Sequence, residues 1–143
     1  MKRLAILIAA LCVSCIMAVA QISWGQWTCW GQQPDSTYIN PVLPSDYSDL
    51  DCIRVGDDFY AIFSTMPFSP GMTVLHSTDL VNWEVVGNAV TDLTQITPER
   101  GWRRMNRYGR GVWAGSIRYH NNRFYVFFGT PDEGYFVTSA PSL

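Results

Sequence analysis

The sequence predicts an all-β protein of the β-propeller class, and three observations support this expectation. Short segments rich in β-branched and aromatic residues alternate with clusters of Gly, Pro, Asn and Asp, as strands alternate with turns. After the first 20 residues, no segment shows the 3.6-residue apolar period of an amphipathic helix. One strand pattern also returns after 62 to 65 positions. A long repeat made of short strands is typical of propeller blades, each of which has four strands.

The first repeat unit contains four predicted strands. Residues 50–55 and 59–64 form a predicted hairpin, because Gly56-Asp57-Asp58 between them is a tight-turn sequence. Residues 73–77 and 83–86 are predicted to be the third and fourth strands. The unit therefore has the strand number of one blade.

The second repeat unit contains three predicted strands. Residues 117–120 match residues 53–56, and Asn121-Asn122 supplies the turn. Residues 124–128 match residues 59–63, and residues 135–139 match the strand that ends at Ser77. Residues 88–110, with Gly, Pro and several Arg, are predicted to be an inserted loop. A propeller ring needs about four to eight blades, so we expect this chain to supply fewer than two blades of an incomplete propeller.

The first 20 residues are expected to be a secretory signal peptide. Lys2 and Arg3 precede an almost unbroken apolar run, and Ala18 and Ala20 are the small residues that a signal peptidase requires. A membrane anchor or a buried helix is less favoured, because the run is short for a span of roughly 20 residues. A lipoprotein signal would need a better small-residue motif before Cys15. We expect cleavage after Ala20 and a secreted or periplasmic protein.

The predicted domain organisation has three parts. They are the signal peptide at residues 1–20, a lead-in segment at residues 21–38, and an incomplete propeller catalytic domain at residues 39–143. Two cysteines, Cys29 and Cys52, remain after signal cleavage. They could form one disulfide in an oxidising compartment or remain separate buried thiols.

Composition restricts the class of partner. The net charge is −2 with both signs interspersed, which argues against nucleic acid or an acidic membrane surface. No membrane span is expected after signal cleavage. No Cys or His spacing resembles a zinc site, and we expect neither a metal nor a cofactor. The arginines at positions 103, 104, 107 and 110 are expected to be solvated, or alternatively to pair with blade carboxylates.

An acidic cluster lies at the start of the first predicted strand. It contains Asp46, Asp49 and Asp51. The inner strand of a propeller blade starts at the central channel, so a carboxylate at that point would face whatever occupies the axis. The simpler interpretation is an Asp-rich turn that caps the strand.

Several motifs together resemble glycoside hydrolase family 43. In chain order they are Asn-Pro-Val-Leu at 40–43, Asp-Tyr-Ser-Asp at 46–49, Ile-Arg-Val-Gly-Asp-Asp-Phe-Tyr at 53–60, Val-Leu-His-Ser-Thr-Asp-Leu-Val-Asn-Trp at 74–83, and Gly-Val-Trp-Ala at 111–114 with Ile-Arg-Tyr-His at 117–120. The resemblance implies a five-bladed propeller. It also implies an inverting hydrolase that removes xylosyl or arabinofuranosyl residues from plant-type glycans, with an oligosaccharide or polysaccharide as its partner.

The resemblance also implies three catalytic carboxylates. The general base matches Asp49, with Asp51 as the alternative and Asp46 less favoured. A second Asp raises the pKa of the general acid and orients it, but its usual positions are not acidic in this chain, where Thr130 stands at the strand end. Asp132 is the nearest suitable acid, although it could simply belong to a Pro-Asp turn. The general acid, a Glu, has no match here and is expected beyond residue 143.

Two aromatic side chains are candidate substrate-binding residues. Phe68 lies in the loop after the second strand, where the family often has a ring that lines the sugar pocket, and Trp113 opens the second unit. Either ring could instead belong to the core. The competing function is a non-catalytic glycan-binding propeller, which would keep aromatic residues and lose the acids. A purely structural or interaction propeller is the third alternative.

The signal-peptide assignment predicts the N-terminus of the exported protein. Mass spectrometry of the material recovered outside the cytoplasm should find Gln21, free or cyclised, as the first residue. Exported protein that still begins with Met1 would contradict the assignment.

Overall fold

The computed structural model of the chain describes residues 31–66, 69–101, 103 and 109–143. These residues form two antiparallel sheets with simple up-and-down order. The first sheet contains β1 (Asp51–Val55), β2 (Asp58–Phe63), β3 (Gly71–Ser77) and β4 (Glu84–Val90). The second sheet contains β5 (Trp113–His120), β6 (Arg123–Thr130) and β7 (Gly134–Ala140). The all-β expectation and the four-plus-three strand count are confirmed.

Both predicted hairpins form, and their turn residues explain why. In the first, Val55 pairs with Asp58 across Gly56 and Asp57, and Gly56 has a φ of 65°. In the second, His120 pairs with Arg123 across Asn121 and Asn122, whose φ values are 47° and 57°. Two-residue hairpin loops favour such left-handed conformations, which Gly and Asn adopt at little cost.

The structural match between the two units is offset by one residue from the match that their sequences suggest. Each hairpin closes on a two-residue turn, so Val55 corresponds to His120 and Ile53 corresponds to Arg118. The predicted match of Ile53 with Ile117 is therefore wrong by one position. A shift of one residue moves a side chain to the other face of its sheet. Both isoleucines pack into the core between the sheets, because they project from opposite faces of their own sheets.

The hydrophobic core fills the space between the two sheets. Its buried members are Ile62, Met72, Val74, Val90, Leu93, Val112, Ile117, Phe124, Val126 and Phe128. Edge-on contact between the Tyr60 and Phe124 rings, with centroids 4.9 Å apart, extends this core at one end. Burial of these side chains supplies most of the free energy that holds one sheet against the other.

The inserted segment contains more structure than the predicted loop. Two short 3-10 helices lie at Leu93–Gln95 and Pro98–Arg100. Asp92 caps the first by accepting a 2.9 Å hydrogen bond from the backbone N–H of Thr94, and Leu93 is buried in the core. Pro98 begins the second, where its fixed φ favours a helical turn. Burial of Leu93 therefore fixes the insert to the sheets.

Several sequence-based expectations fall on residues outside the described part of the chain. They are the signal peptide, the cysteine at position 29 and the phenylalanine at position 68. Cys52 lies on β1 with an exposed side chain. Within residues 31–66, 69–101, 103 and 109–143, no helix has the length and apolar character needed to cross a membrane. The same residues contain no group of three or more His, Cys, Asp or Glu arranged to hold a metal ion.

The backbones of the two sheets meet where β2 ends and β5 begins. Thr65 forms a bridge with Val112, in which its N–H donates to the Val112 carbonyl at 3.1 Å. The N–H of Gly111 donates to the carbonyl of Met66 at 2.7 Å. A Cβ atom on Gly111 would lie 2.5 Å from the carbonyl oxygens of both Thr65 and Met66. Only glycine allows this approach.

This close contact predicts that Gly111→Ala destabilises the protein. The added methyl must push the ends of β2 and β5 apart, and an overpacked site of this kind costs about 1–3 kcal/mol. Gly87→Ala is the matched control, because a Cβ there meets nothing within 4 Å. Urea denaturation of both variants should show a loss of stability for Gly111→Ala alone. Equal stability of the two variants would show that the Gly111 contact is not constraining.

Candidate active site

Four strand termini meet at one end of the two sheets. β1 begins and β2 ends there because they are antiparallel, and the same holds for β5 and β6. The bridge between Thr65 and Val112 places the two hairpin ends side by side. We call this the site end, defined by residues 47–51, 63–66, 109–113 and 130–133. The candidate carboxylates Asp49 and Asp132 both belong to it.

Asp49 lies in the turn just before β1, and its side chain is exposed. The residue has a φ of 56°, a left-handed conformation that Asp tolerates better than most residues. The hydroxyl of Ser64, which is 6% exposed, donates a 2.7 Å hydrogen bond to Oδ2 of Asp49. The N–H of Ser64 also donates to the carbonyl of Ser48 at 3.0 Å. The carboxylate is thus held by the end of β2 and remains open to water, as a general base requires.

Asp51, the alternative base, is engaged in joining the two inner strands. Its Oδ2 accepts hydrogen bonds from the backbone N–H of Ile117 and from the guanidinium of Arg118, each at 2.8 Å. Burial raises the pKa of this carboxyl, but the hydrogen bonds from Ile117, Arg118 and Ser116 outweigh it and leave the pKa below its ordinary value of 3.8. Asp51 therefore links β1 to β5. Asp46, the least favoured candidate, is exposed before β1.

Asp132 lies in the turn between β6 and β7. Its Oδ1 accepts a 2.5 Å hydrogen bond from the guanidinium of Arg110. The Asp132 side chain is 29% exposed and that of Arg110 is 53% exposed. The pairing of Arg110 with a blade carboxylate was one of the two expectations for the arginine cluster, and at this position it is confirmed. In that cluster, positions 104 and 107 lie outside the described residues.

No pattern in the sequence indicated a largely buried ion pair next to Asp132. Arg100, which is 3% exposed, donates from Nε to Oε2 of Glu133 at 3.1 Å, and its Nη2 also contacts this oxygen. Thr130 donates from its hydroxyl to the same carboxylate at 2.9 Å. The partners are 33 positions apart in the chain, so local pattern could not connect them. Only the excess of arginine before β5 hinted at carboxylate pairing.

The Trp113 ring is exposed at the site end. Trp113 is the first residue of β5 and is 45% exposed in the described part of the chain. Its indole N–H donates to the carbonyl of Gly109 at 3.0 Å, which fixes the orientation of the ring. An exposed and oriented aromatic ring of this kind is a candidate contact for a ligand.

The chain is similar in sequence to one family of known proteins. The model of glycosyl hydrolases family 43 matches residues 38–143, which is most of the chain. The chain belongs to family 43.

Two relatives within family 43 illustrate the similarity. A β-xylosidase of Formosa agariphila is 42% identical over 123 residues, which cover 86% of this chain and 21% of that protein. A non-reducing end α-L-arabinofuranosidase of Bacteroides ovatus is 34% identical over 120 residues, which cover 81% of this chain and 22% of that protein. The family 43 chain described here thus spans about a fifth of the length of these relatives.

Solved structures of family 43 enzymes align with the two sheets. A bifunctional GH43-CE protein of Bacteroides eggerthii matches with a TM-score of 0.65 at 36% identity, covering 73% of this chain and 15% of that one. A xylan β-1,4-xylosidase of Bacillus halodurans matches with a TM-score of 0.63 at 29% identity, covering 73% and 20%. The fold class is confirmed as that of the family 43 propeller, of which this chain forms a part smaller than two blades.

The contacts of Asp51 predict a pH-dependent loss of stability in Asp51→Asn. Because the folded-state pKa is depressed, the ionised Asp51 stabilises the fold above its ordinary pKa of 3.8, and this contribution is lost as the pH falls. The variant should melt at a lower temperature than wild type at pH 7. At pH 3 the difference should shrink.

Asp57→Asn is the control, because the Asp57 side chain is fully exposed in its pair with Arg54. That variant should melt like wild type at pH 7. An Asp51→Asn protein as stable as wild type at pH 7 would show that Asp51 does not join the blades.

Proposed function

We propose that the complete protein is an inverting glycoside hydrolase that removes xylosyl or arabinofuranosyl residues from plant-type glycans. By complete protein we mean the product of the entire open reading frame that encodes this sequence. The observation that carries the proposal is the Asp49 carboxylate, which is exposed at the site end of a family 43 chain and held there by Ser64. The names of the relatives, a β-xylosidase and an arabinofuranosidase, support this substrate class.

In this proposal Asp49 acts as the general base. Its carboxylate takes a proton from a water molecule, and the water oxygen attacks the anomeric carbon from the face opposite the leaving group. The glycosidic C–O bond breaks in the same step, and the general acid gives its proton to the leaving oxygen. The hydrogen bond from Ser64 to Oδ2 orients the carboxylate. A base within hydrogen-bond reach of its water contributes roughly 10²–10⁴-fold to the rate.

Asp132 is proposed to be the second carboxylate, which tunes and orients the general acid. Its pairing with Arg110 fixes the direction of the carboxylate. The general acid itself is proposed to be a Glu outside residues 1–143. Inversion requires the acid and base carboxyl groups to lie roughly 6.5–9.5 Å apart, so that one water fits between base and sugar.

The substrate is proposed to stack on Trp113, whose ring is exposed and oriented at the site end. Phe68 is proposed as a second aromatic contact. Secretion after cleavage behind Ala20 would place the enzyme where plant glycans occur.

A non-catalytic glycan-binding module is the second candidate function. Thr130 favours it, because this hydroxyl stands where an acid was expected and is occupied in binding Glu133. The complete protein would then bind xylo- or arabino-oligosaccharides without hydrolysing them. Incubation with nitrophenyl β-xyloside and nitrophenyl α-L-arabinofuranoside separates the two functions, and NMR of the first product shows whether the anomeric configuration is inverted.

The base assignment predicts that Asp49→Asn lowers kcat by roughly 10²–10⁴-fold in the complete protein, because the amide keeps the shape and loses the basicity. Folding and oligosaccharide binding should persist, as measured by thermal melting and calorimetric titration. The kinetics are measured with whichever nitrophenyl glycoside the wild type cleaves.

Two further variants sharpen this test. Asp46→Asn, an exposed Asp of the same segment, should keep nearly full activity. Asp51→Asn should cost much less kcat than Asp49→Asn once folded protein is compared. An inactive Asp51→Asn beside an active Asp49→Asn would move the base to Asp51, and full activity of both would favour the binding module.

A further inference from the structure

We infer that Arg100 is a positioning residue that sets the place of the Asp132 carboxylate relative to Asp49. The inference rests on the proposed function, because it assigns Arg100 a role in that reaction. It concerns a buried ion pair that touches neither candidate carboxylate directly. Its contacts connect the loops that carry both of them.

Arg100 joins three separate segments through one guanidinium. The side chain leaves the 3-10 helix Pro98–Arg100 and is almost completely buried. Nη1 donates to the carbonyls of Arg110 and Gly111, the latter at 3.2 Å. Nε and Nη2 donate to Oε2 of Glu133. The inserted segment, the approach to β5 and the β6–β7 turn are therefore fixed to one another.

On the Asp132 side, Arg100 binds the chain at or next to both partners of the Arg110–Asp132 ion pair. Glu133 follows Asp132 directly, and its carboxylate is held by Arg100 and by the Thr130 hydroxyl. The N–H of Glu133 also donates to the Thr130 hydroxyl at 3.3 Å, which closes the turn. Arg110, the partner of Asp132, has its own carbonyl bound by Arg100. Movement of Arg100 therefore moves Asp132 and its counter-ion together.

On the Asp49 side, the connection runs through the backbone. Gly111, whose carbonyl Arg100 binds, donates its N–H to Met66 at the end of β2. Two residues earlier, Ser64 donates its hydroxyl to Asp49. Arg100 thus holds one end of a short chain of contacts whose other end is the candidate base.

The fork of the guanidinium suits this task better than an ammonium. The contacts use Nε, Nη1 and Nη2 in two directions, toward Glu133 on one side and toward two carbonyls on the other. A lysine ammonium is a single point on a flexible stem and cannot reproduce that geometry. Arg100→Lys keeps the charge and should release the turn that carries Asp132.

The test measures the pH dependence of kcat/KM for the complete protein with Arg100→Lys. A displaced Asp132 no longer raises the pKa of the general acid, so the alkaline limb should move to lower pH by roughly one unit. The acidic limb, which reports the base, should stay where it is. We expect kcat to fall by about 10²-fold, the usual effect of a misplaced catalytic group, with KM changed little. If Arg100 had only a structural role, Arg100→Lys would lower the maximum of kcat/KM and leave both limbs of the pH profile at the same pH.

Four further variants complete the design. Glu133→Gln keeps the side-chain shape and should move the same limb, and it carries the test if Arg100→Lys fails to fold. Combining Arg100→Lys with Asp132→Asn should shift the limb no further than Asp132→Asn alone, because both act through one carboxylate. Arg54→Lys, in an exposed ion pair, is the control and should behave like wild type.

The outcomes separate the inference from the proposed function. Active wild type with unmoved alkaline limbs in both Arg100→Lys and Glu133→Gln overturns the positioning role and leaves the proposed function intact. Wild type that cleaves no glycoside overturns the proposed function, and the positioning role fails with it. A shifted alkaline limb beside an unchanged acidic limb supports both.

Discussion

The arrangement of the site end depends on the backbone contact between the end of β2 and the approach to β5. Thr65 and Met66 meet Gly111 and Val112 through two hydrogen bonds, one of which is possible only because Gly111 has no side chain. This contact fixes how far one hairpin lies from the other. This backbone contact also fixes the relative positions of Ser64, directly after β2, and Trp113, the first residue of β5.

The candidate carboxylates differ most in the chemistry of their partners. Asp49 accepts from a neutral hydroxyl and faces solvent, whereas Asp51 and Asp132 are paired with guanidinium groups. Burial raises the pKa of Asp51, but its hydrogen bonds outweigh that effect and keep the pKa below 3.8, which suits a carboxylate that links β1 to β5. Arg110 fixes the direction of Asp132, and Asp49 stays exposed beside a neutral hydroxyl. The roles proposed for the three aspartates follow from these neighbours.

Sequence reasoning succeeded where the determining forces are local. The hairpins were predictable because Gly56-Asp57 and Asn121-Asn122 specify tight turns between strands. The one-residue shift between Ile53 and Ile117 was missed because the two short sequences look alike. Ile53 lies two residues before the last paired residue of its strand, whereas Ile117 lies three residues before it.

The site end was only partly predictable, because its side chains meet through long-range contacts. The motif around Asp49 indicated a candidate base, but nothing in it pointed to Ser64, which lies 15 positions away. Arg100 was missed for the same reason. It precedes β5 in the chain, whereas its partner Glu133 follows β6, 33 positions later. Hydrogen bonds between distant segments leave no periodic trace in a sequence.

The way Asp49 is held also bears on how the rim of the site can diversify. Its anchor, Ser64, directly follows β2, a strand inside the sheet, and the carbonyl of Ser48 accepts from the N–H of the same residue. Residues 44–46, which precede this anchor, are exposed. Surface loops accept insertions and substitutions readily. Descendants of this chain could therefore lengthen or recharge that rim while the carboxylate keeps its place.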